Sequence, residues 1–278
     1  MTEYLEAAAV DWNDAGTVAA YDELPLWSAM AGLLLFEELP LRAGTRVLDL
    51  GPGTGFPLLD LAERLGRGGG VTGLDPWRPA LERARAKLRA WQVTNAHIVL
   101  GDGSAMPFAA GAFDLVVSNL GLNNFADAAA AVAECARVLR PGGTIALTTN
   151  LRGHMREFYA AFESVLAEAG LPHAVEELRA HVDHRATVDG VRTLFEGAGL
   201  RFGRAVEREM PIRFASGSAL LRHHFIRLGF LDAWKAVVPG SDRVRVFARL
   251  EHALNEAAGR KGGLTLTIPL AYVEGMRE

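Results

Sequence analysis

The chain has 278 residues, 50% of them hydrophobic, and a formal net charge of −4, which suits one large domain or a domain carrying a substantial insertion. The absence of a lysine- or arginine-rich run favours a small or neutral substrate over nucleic acid, and the single cysteine, Cys135, excludes an internal disulfide framework and fits a reducing cytoplasm. No apolar run approaches the roughly 18 residues of a membrane span, and the first residues lack a basic n-region, so the expectation is a soluble, cytoplasmic protein.

Residues 1–43 open the chain. Ala15 to Leu39 is mostly apolar and helix-friendly, with Pro25 as a break and Pro40 as an end, and predicts two or three helices ahead of the core. Trp12, Tyr21 and Trp27 lie in this stretch and are read either as a lid over a ligand or as the helices' packing face. Arg46–Leu50 is the first strand. A helix follows with Leu58, Leu61, Ala62 and Leu65 at helical spacing, stopped by the glycine cluster at 66–70. Val71–Leu74 is a second strand ending in Asp75-Pro76, which also reads as a helix N-cap with proline at N1, and the next helix runs to about Trp91. Ala96–Leu100 is a third strand and Phe113–Ser118 a fourth, the latter apolar enough to be covered on both faces. A helix from about Asp127 buries Val132, Cys135, Ala136 and Leu139 and is stopped by Pro141-Gly142-Gly143, after which Thr144–Thr149 is a fifth strand. Strands alternating with helices predict a doubly wound α/β sheet. Further on, Met155–Ala169 is helical and Thr187 caps a helix ending at Gly199. Leu200–Phe214 is a sixth strand, and residues 171–186 and 215–260 are helical insertions. Leu264–Val273 is a late strand in which Pro269 argues for an edge position or a bulge.

The most informative stretch is Val47-Leu-Asp-Leu-Gly-Pro-Gly-Thr-Gly-Phe56: a buried strand, a turn with Gly51, Gly53 and Gly55, then a helix. Such a corner binds nucleotides. The dinucleotide pattern would need glycine at Phe56, and no lysine follows the turn as a P-loop requires. Asp49, Asp75 and Asp102 stand at successive strand ends. Carboxylates there repel phosphate but suit a ligand with hydroxyls, amines and a positive centre.

These pieces occur in one order with Gly-Leu-Asp-Pro, Gly-Asp-Gly-Ser-Ala-Met-Pro-Phe, Phe-Asp-Leu-Val-Val-Ser and Arg-Val-Leu-Arg-Pro-Gly-Gly. The succession resembles the class I S-adenosylmethionine-dependent methyltransferases, nearest to the small-molecule branch that includes the ubiquinone and menaquinone methyltransferases, closely over residues 44–150 and in outline elsewhere. The resemblance implies a Rossmann-like seven-stranded sheet of order 3-2-1-4-5-7-6 with the last strand antiparallel, N-terminal helices (1–43) as a lid, and a methyltransferase domain (44–278) with the helical cap insertions. It implies S-adenosylmethionine as cofactor: Gly51, Gly53 and Gly55 approached by the methionine part with Asp49 near its amino group, Asp75 on the ribose hydroxyls, Pro76 and Trp77 beside the adenine, Asp102 on the adenine amine with Gly103 and Ser104 at the ring edge, and Asn119 and Leu120 under the methionine chain.

Methyl transfer from a sulfonium is an in-line displacement that alignment and water exclusion can drive, and a base is needed only where the accepting atom keeps its proton. Where related sequences carry Leu-His-His-Phe, this chain has Leu122-Asn123-Asn124-Phe125, whose asparagines can orient a substrate and cannot take a proton. His154 and His224 are the candidate bases, and Tyr21, Trp27, Asn123 and Asn124 the candidate acceptor contacts. His181, His184, His223 and His224 lack a distinctive metal spacing, so no metal is expected. Cys135 reads as core. The acceptor is expected to be small or medium and partly apolar, with its accepting atom open. A methyltransferase-like scaffold that binds cofactor without turnover is the alternative, and a homodimer with N-terminal helices contributed in trans stays open.

Overall fold

In the computed structural model, which describes residues 3–6 and 9–278, helices α1 (Ala15–Glu23) and α2 (Leu26–Glu38) precede the sheet. Asp14 caps α1 by accepting the Thr17 N–H, and Pro25 separates the two helices. Then follow β1 (Arg46–Leu50), α3 (Leu58–Leu65), β2 (Gly70–Asp75), α4 (Arg78–Ala90), β3 (Ala96–Leu100), β4 (Phe113–Asn119), α5 (Ala128–Val138) and β5 (Leu139–Asn150). Helices α6 (Arg156–Glu168), α7 (Pro172–Asp183) and α8 (Val188–Gly197) lead to β6 (Leu200–Phe214). Helices α9 (Gly217–Arg222), α10 (His224–Gly229), α11 (Leu231–Val237) and α12 (Arg243–Lys261) come before β7 (Leu264–Arg277).

The seven-stranded sheet has the order β3-β2-β1-β4-β5-β7-β6. The pairs among β1 to β5 are parallel, and β7 runs antiparallel to β5 from Thr144↔Met276 to Asn150↔Leu270. The strand order reverses between β1 and β4, and open α/β sheets bind ligands at the carboxyl ends of the strands at such a point.

Three local expectations are corrected. Helix α5 ends at Val138 instead of at Pro141-Gly142-Gly143, because Leu139 already pairs with Phe113 and the strand continues through those residues. Helix α4 begins at Arg78 with Trp77 as its N-cap residue and Pro79 in its first turn, so Asp75-Pro76 does not open it. Strand β7 lies between β5 and β6, so Pro269 is not on a sheet edge. It is tolerated because it immediately precedes Leu270, where pairing with β5 ends, and its missing N–H costs no bond in that ladder.

The chain divides into two compact units. The sheet unit comprises Trp12–Leu151, Ala186–Arg208 and Leu270–Glu278. Its core gathers Leu48, Leu50, Leu74, Val116, Val132, Cys135, Leu147 and Phe195, all nearly inaccessible. Cys135 is core, as expected, and burial pushes its thiol up to about 12. The helical unit takes residues up to Asp11, Arg152–Arg185 and Glu209–Pro269. There α6 packs on α7 and α12, with Phe158, Phe162, Leu178, Trp234 and Phe247 inside, and Trp234 stacks on Phe158 at 4.0 Å. The division falls elsewhere than at residue 43. Helices α1 and α2 belong with the sheet, where Asp22 on α1 pairs with Arg83 and Lys87 on α4, and α2 buries Trp27, Ala31, Leu34 and Leu35. Both expected insertions fall in the helical unit, Ala186 excepted, together with α6.

Candidate functional site

β1 brings Asp49 to complete burial, and no donor among the described residues meets either carboxylate oxygen in good hydrogen-bond geometry. Desolvation, and then repulsion from Asp75, hold this carboxyl well above the usual carboxylate range; the Leu58 N–H at the head of α3 opposes them weakly. Asp75, at the end of β2, is 7% exposed. Its Oδ2 accepts the Gly53 N–H at 2.9 Å and its Oδ1 the Trp77 N–H at 2.8 Å, so each oxygen keeps a lone-pair site for a ligand. Burial raises its pKa as well, against those two bonds. Two neighbouring, desolvated carboxyls with no ion pair among the described residues would ionise more readily beside a cationic ligand.

The glycine turn is built around them. Gly51, Gly53 and Gly55 have φ of +80°, +53° and +112°, a region that favours glycine. A Cβ at Gly51 or Gly53 would meet nothing within 4 Å, so the backbone there is open to close approach. A Cβ at Gly55 would lie 2.2 Å from Leu59 Cδ1 and 3.3 Å from Ala84 Cβ. Gly55 therefore lets α3 and α4 pack, whereas the first two glycines face open space.

Across the crevice, β4 ends in Asn119. Its amide donates to Ser28 O at 3.0 Å and accepts from the Thr148 hydroxyl at 2.6 Å. Leu120 follows with φ +62°, an unusual conformation for a leucine and a mark of a constrained site. Tyr21, expected to contact the acceptor, stands at the Asp75 corner. Its ring meets Trp77 edge-on at 5.3 Å, Trp12 meets both rings, and burial together with Asp75 raises the phenol's pKa. The Trp77 indole N–H donates to Trp12 O at 2.8 Å, and Pro76 is exposed beside it. Trp27 is buried in α2.

Asp102 is exposed, and its Oδ1 accepts both the backbone N–H and the hydroxyl of Ser104, bonds that lower its pKa. Gly103 lies close over Leu50, where a Cβ would come within 3.1 Å of Leu50 Cδ1. Asn123 is engaged in structure: its amide donates to Thr149 Oγ1 and Asn150 O and accepts the Ala186 N–H. Asn124 donates to Leu120 O and is exposed. The two candidate bases are in the helical unit and line different clefts, His154 one of about 270 Å³ and His224 one of about 70 Å³. His154 is 1% exposed, and burial, with Arg185 and His181, pushes its pKa down to about 3. No group of three or more metal-ligating side chains occurs among the described residues.

Asp22, which accepts from Arg83 and Lys87 and is further favoured as an anion by the Thr54 hydroxyl, was not among the sequence candidates, and neither was the Ser28–Asn119–Thr148 chain. An acidic residue one position after Tyr21 was the available signal for the first; nothing local marked the second.

Comparison with known proteins decides the family. A profile described as a methyltransferase domain matches residues 48–147. Nocamycin O-methyltransferase of Saccharothrix syringae is 33% identical over 255 residues, spanning 87% of this chain and 88% of that protein. The chain belongs to the S-adenosylmethionine-dependent methyltransferases. Its cofactor is accordingly S-adenosylmethionine, and it is an enzyme of class I fold. A demethylmenaquinone methyltransferase of Lactococcus lactis is 31% identical over 161 residues, 58% of this chain and 62% of its relative. In fold, the methyltransferase resembles the YcgJ protein of Bacillus subtilis (TM-score 0.59, 20% identity, 90% of this chain and 99% of that one). It also resembles a SAM-dependent methyltransferase of Aquifex aeolicus (TM-score 0.55, 20% identity, 69% and 92%). The buried carboxylate of Asp49, the spare acceptor sites of Asp75 and the open backbone at Gly51 and Gly53 fit a ligand that carries a sulfonium, an ammonium and a ribose diol. No helix among the described residues is long and apolar enough to cross a membrane.

Proposed function

We propose that this methyltransferase transfers a methyl group to an oxygen atom of a small or medium, partly apolar acceptor, and does so by positioning and desolvation. The observation that carries the reading is the pair of buried carboxylates, Asp49 and Asp75, which form no ion pair among the described residues and which flank an open glycine turn. In this reading Asp49 faces the cofactor's amino group and Asp75 accepts from the ribose. Gly51 and Gly53 admit the methionine part, with Asn119 and Leu120 beneath it. Tyr21, Trp12 and Trp77 close the ribose end, Pro76 borders it, and Asp102 with Gly103 and Ser104 meets the adenine edge. Gly55 contributes by packing the two helices that frame the turn.

The cofactor supplies an electrophilic methyl on a sulfonium, whose positive charge is lost on transfer. The chain's part is alignment and exclusion of water, which can contribute on the order of 7–11 kcal/mol. A base of its own is poorly provided. Asn123 is committed to the backbone and to Thr149, and His154, with its pKa near 3, holds a proton weakly. An acceptor that already ionises near neutral pH needs none. The name of the Saccharothrix syringae relative, an O-methyltransferase, supports oxygen as the accepting atom. A free, buried Cys135 suits a cytoplasmic location.

Methyl-labelled cofactor offered with phenols, carboxylic acids, amines and thiols tests this reading. Label in an oxygen-linked methyl group is expected; label only on nitrogen, sulfur or carbon would refute it. Cofactor binding without transfer to any of these would be the behaviour of a silent scaffold. Removing both histidines (His154→Ala with His224→Ala) is expected to leave the pH dependence of turnover unchanged in shape. Loss of an ionisation from that profile would restore a histidine base.

A further inference from the structure

The smaller cleft, of about 70 Å³, is formed wholly within the helical unit, by Val10 and by residues of α10 and α11. His224, Arg227, Asp232 and Lys235 bring charge and hydrogen-bonding groups to its wall. Asp232, the one carboxylate in that wall, is already engaged: its Oδ2 accepts the Val10 N–H at 3.4 Å and its Oδ1 the Lys235 ammonium at 3.1 Å. Lys235 is nearly withdrawn from water, its side chain 15% exposed.

Arg227 has no such partner. It is half-buried and forms no ion pair among the described residues, and its Nε is buried where no acceptor of those residues meets it. A buried guanidinium N–H without an acceptor is unfavourable, so a ligand that supplies one gains affinity. Two permanent cations thus share the cleft with a single carboxylate, and the exposed His224 offers a third side chain with nitrogen donors. The remaining wall, Val10, Leu228 and Leu231, is apolar and strengthens the attraction of an anion by lowering the local dielectric. The cleft holds roughly the volume of two waters in the liquid, which admits a small oxyanion and excludes the body of a nucleotide. A carboxylate presents two oxygens, whereas a phosphate group presents three even as a monoester, one for each of Arg227, Lys235 and His224.

We propose that this cleft is a phosphate site, taking the free ion or the phosphate end of a small monoester, with Arg227 as the anchor and Lys235 and His224 as the further donors. It is a ligand site additional to the glycine turn and carries out no chemistry.

The test is calorimetric titration of the full chain, in chloride buffer, with inorganic phosphate, glycerol phosphate and acetate. Phosphate is expected to bind at one equivalent and acetate more weakly. Equal binding of glycerol phosphate would show that the site takes monoesters, and its exclusion that the site takes the free ion; both support a phosphate site. Arg227→Gln should weaken phosphate about tenfold or more, and Arg227→Lys less. Should Arg227→Gln fail to fold, His224→Ala, a change at an exposed side chain, is expected to weaken phosphate several-fold. Absence of binding by both phosphates, affinity undiminished in the folded variant, or acetate bound as tightly as phosphate would each overturn the proposal. Displacement of phosphate by S-adenosylmethionine would place the ion at the glycine turn and overturn it as well.

Discussion

Asp49 has a cost for the folded protein. Its carboxyl is fully buried, without an ion pair among the described residues and close to Asp75, and both groups titrate above their unfolded value of about 3.9. A carboxyl whose folded pKa is raised favours folding when protonated, so this contribution is present below about pH 4 and lost as the pH rises through the folded values. A cationic ligand reverses the penalty. The gain in melting temperature on adding S-adenosylmethionine should therefore grow as the pH rises above the unfolded value of about 3.9, and a gain that is flat or falls as the pH rises would contradict the roles given to the two carboxylates. Asp49→Asn should raise the stability of the ligand-free protein near neutral pH while weakening cofactor binding by about 1–3 kcal/mol. A calorimetric titration and a thermal melt of the same variant check both halves. These carboxylates were legible in the sequence because a strand end fixes where its last residue points. Asp102 was legible only as a position, since its bonds to Ser104 also satisfy the plain turn reading. The place of Tyr21 was not legible, because nothing in a linear pattern reveals that α1 lies beside Trp77 and Asp75.

Elements frame the corner through a few contacts that can be broken singly. Gly55→Ala should destabilise the protein by about 1–3 kcal/mol, combining a strained φ with a Cβ that collides with Leu59. Gly51→Ala carries the strain without a collision and should cost less stability. Chemical denaturation of the two variants ranks them; equal losses would show that the packing of α3 against α4 does not depend on the missing Cβ. Asp22 ties α1 to Arg83 and Lys87, and its pKa is depressed by those partners, so its contribution is present above the unfolded value and lost as the pH falls through the folded one. Asp22→Ala should cost about 0.2–1 kcal/mol, expose the Leu24-Pro25 link to proteolysis and thereby weaken cofactor binding at the Tyr21 side. Unaltered proteolysis would remove the pair from that role. Strand and helix identities were readable from periodicity, whereas their ends were not. Pro141-Gly142-Gly143 carries the marks of a helix stop, yet the pairing of Leu139 with Phe113 had already claimed the backbone for the sheet. Pro269 carries the mark of an edge, yet sits where one ladder ends inside the sheet.

At the scale of the molecule, the two compact units are interleaved along the chain, each assembled from three segments. A division drawn by sequence position therefore separates α1 and α2 from the sheet they pack on and leaves α6 outside the helical unit to which it belongs. The residues proposed to hold the donor, Asp49, Gly51, Gly53 and Asp75, stand in consecutive motifs, and their convergence on one turn was legible early. The central claim, that the glycine turn and its two buried carboxylates hold S-adenosylmethionine, is tested most directly by titrating that cofactor into the unaltered protein and into Asp75→Ala. The unaltered protein should bind one equivalent and show no affinity for NAD, and Asp75→Ala should lose about 1–3 kcal/mol of binding. Undiminished affinity in Asp75→Ala, or tight binding of NAD by the unaltered protein, would contradict the claim.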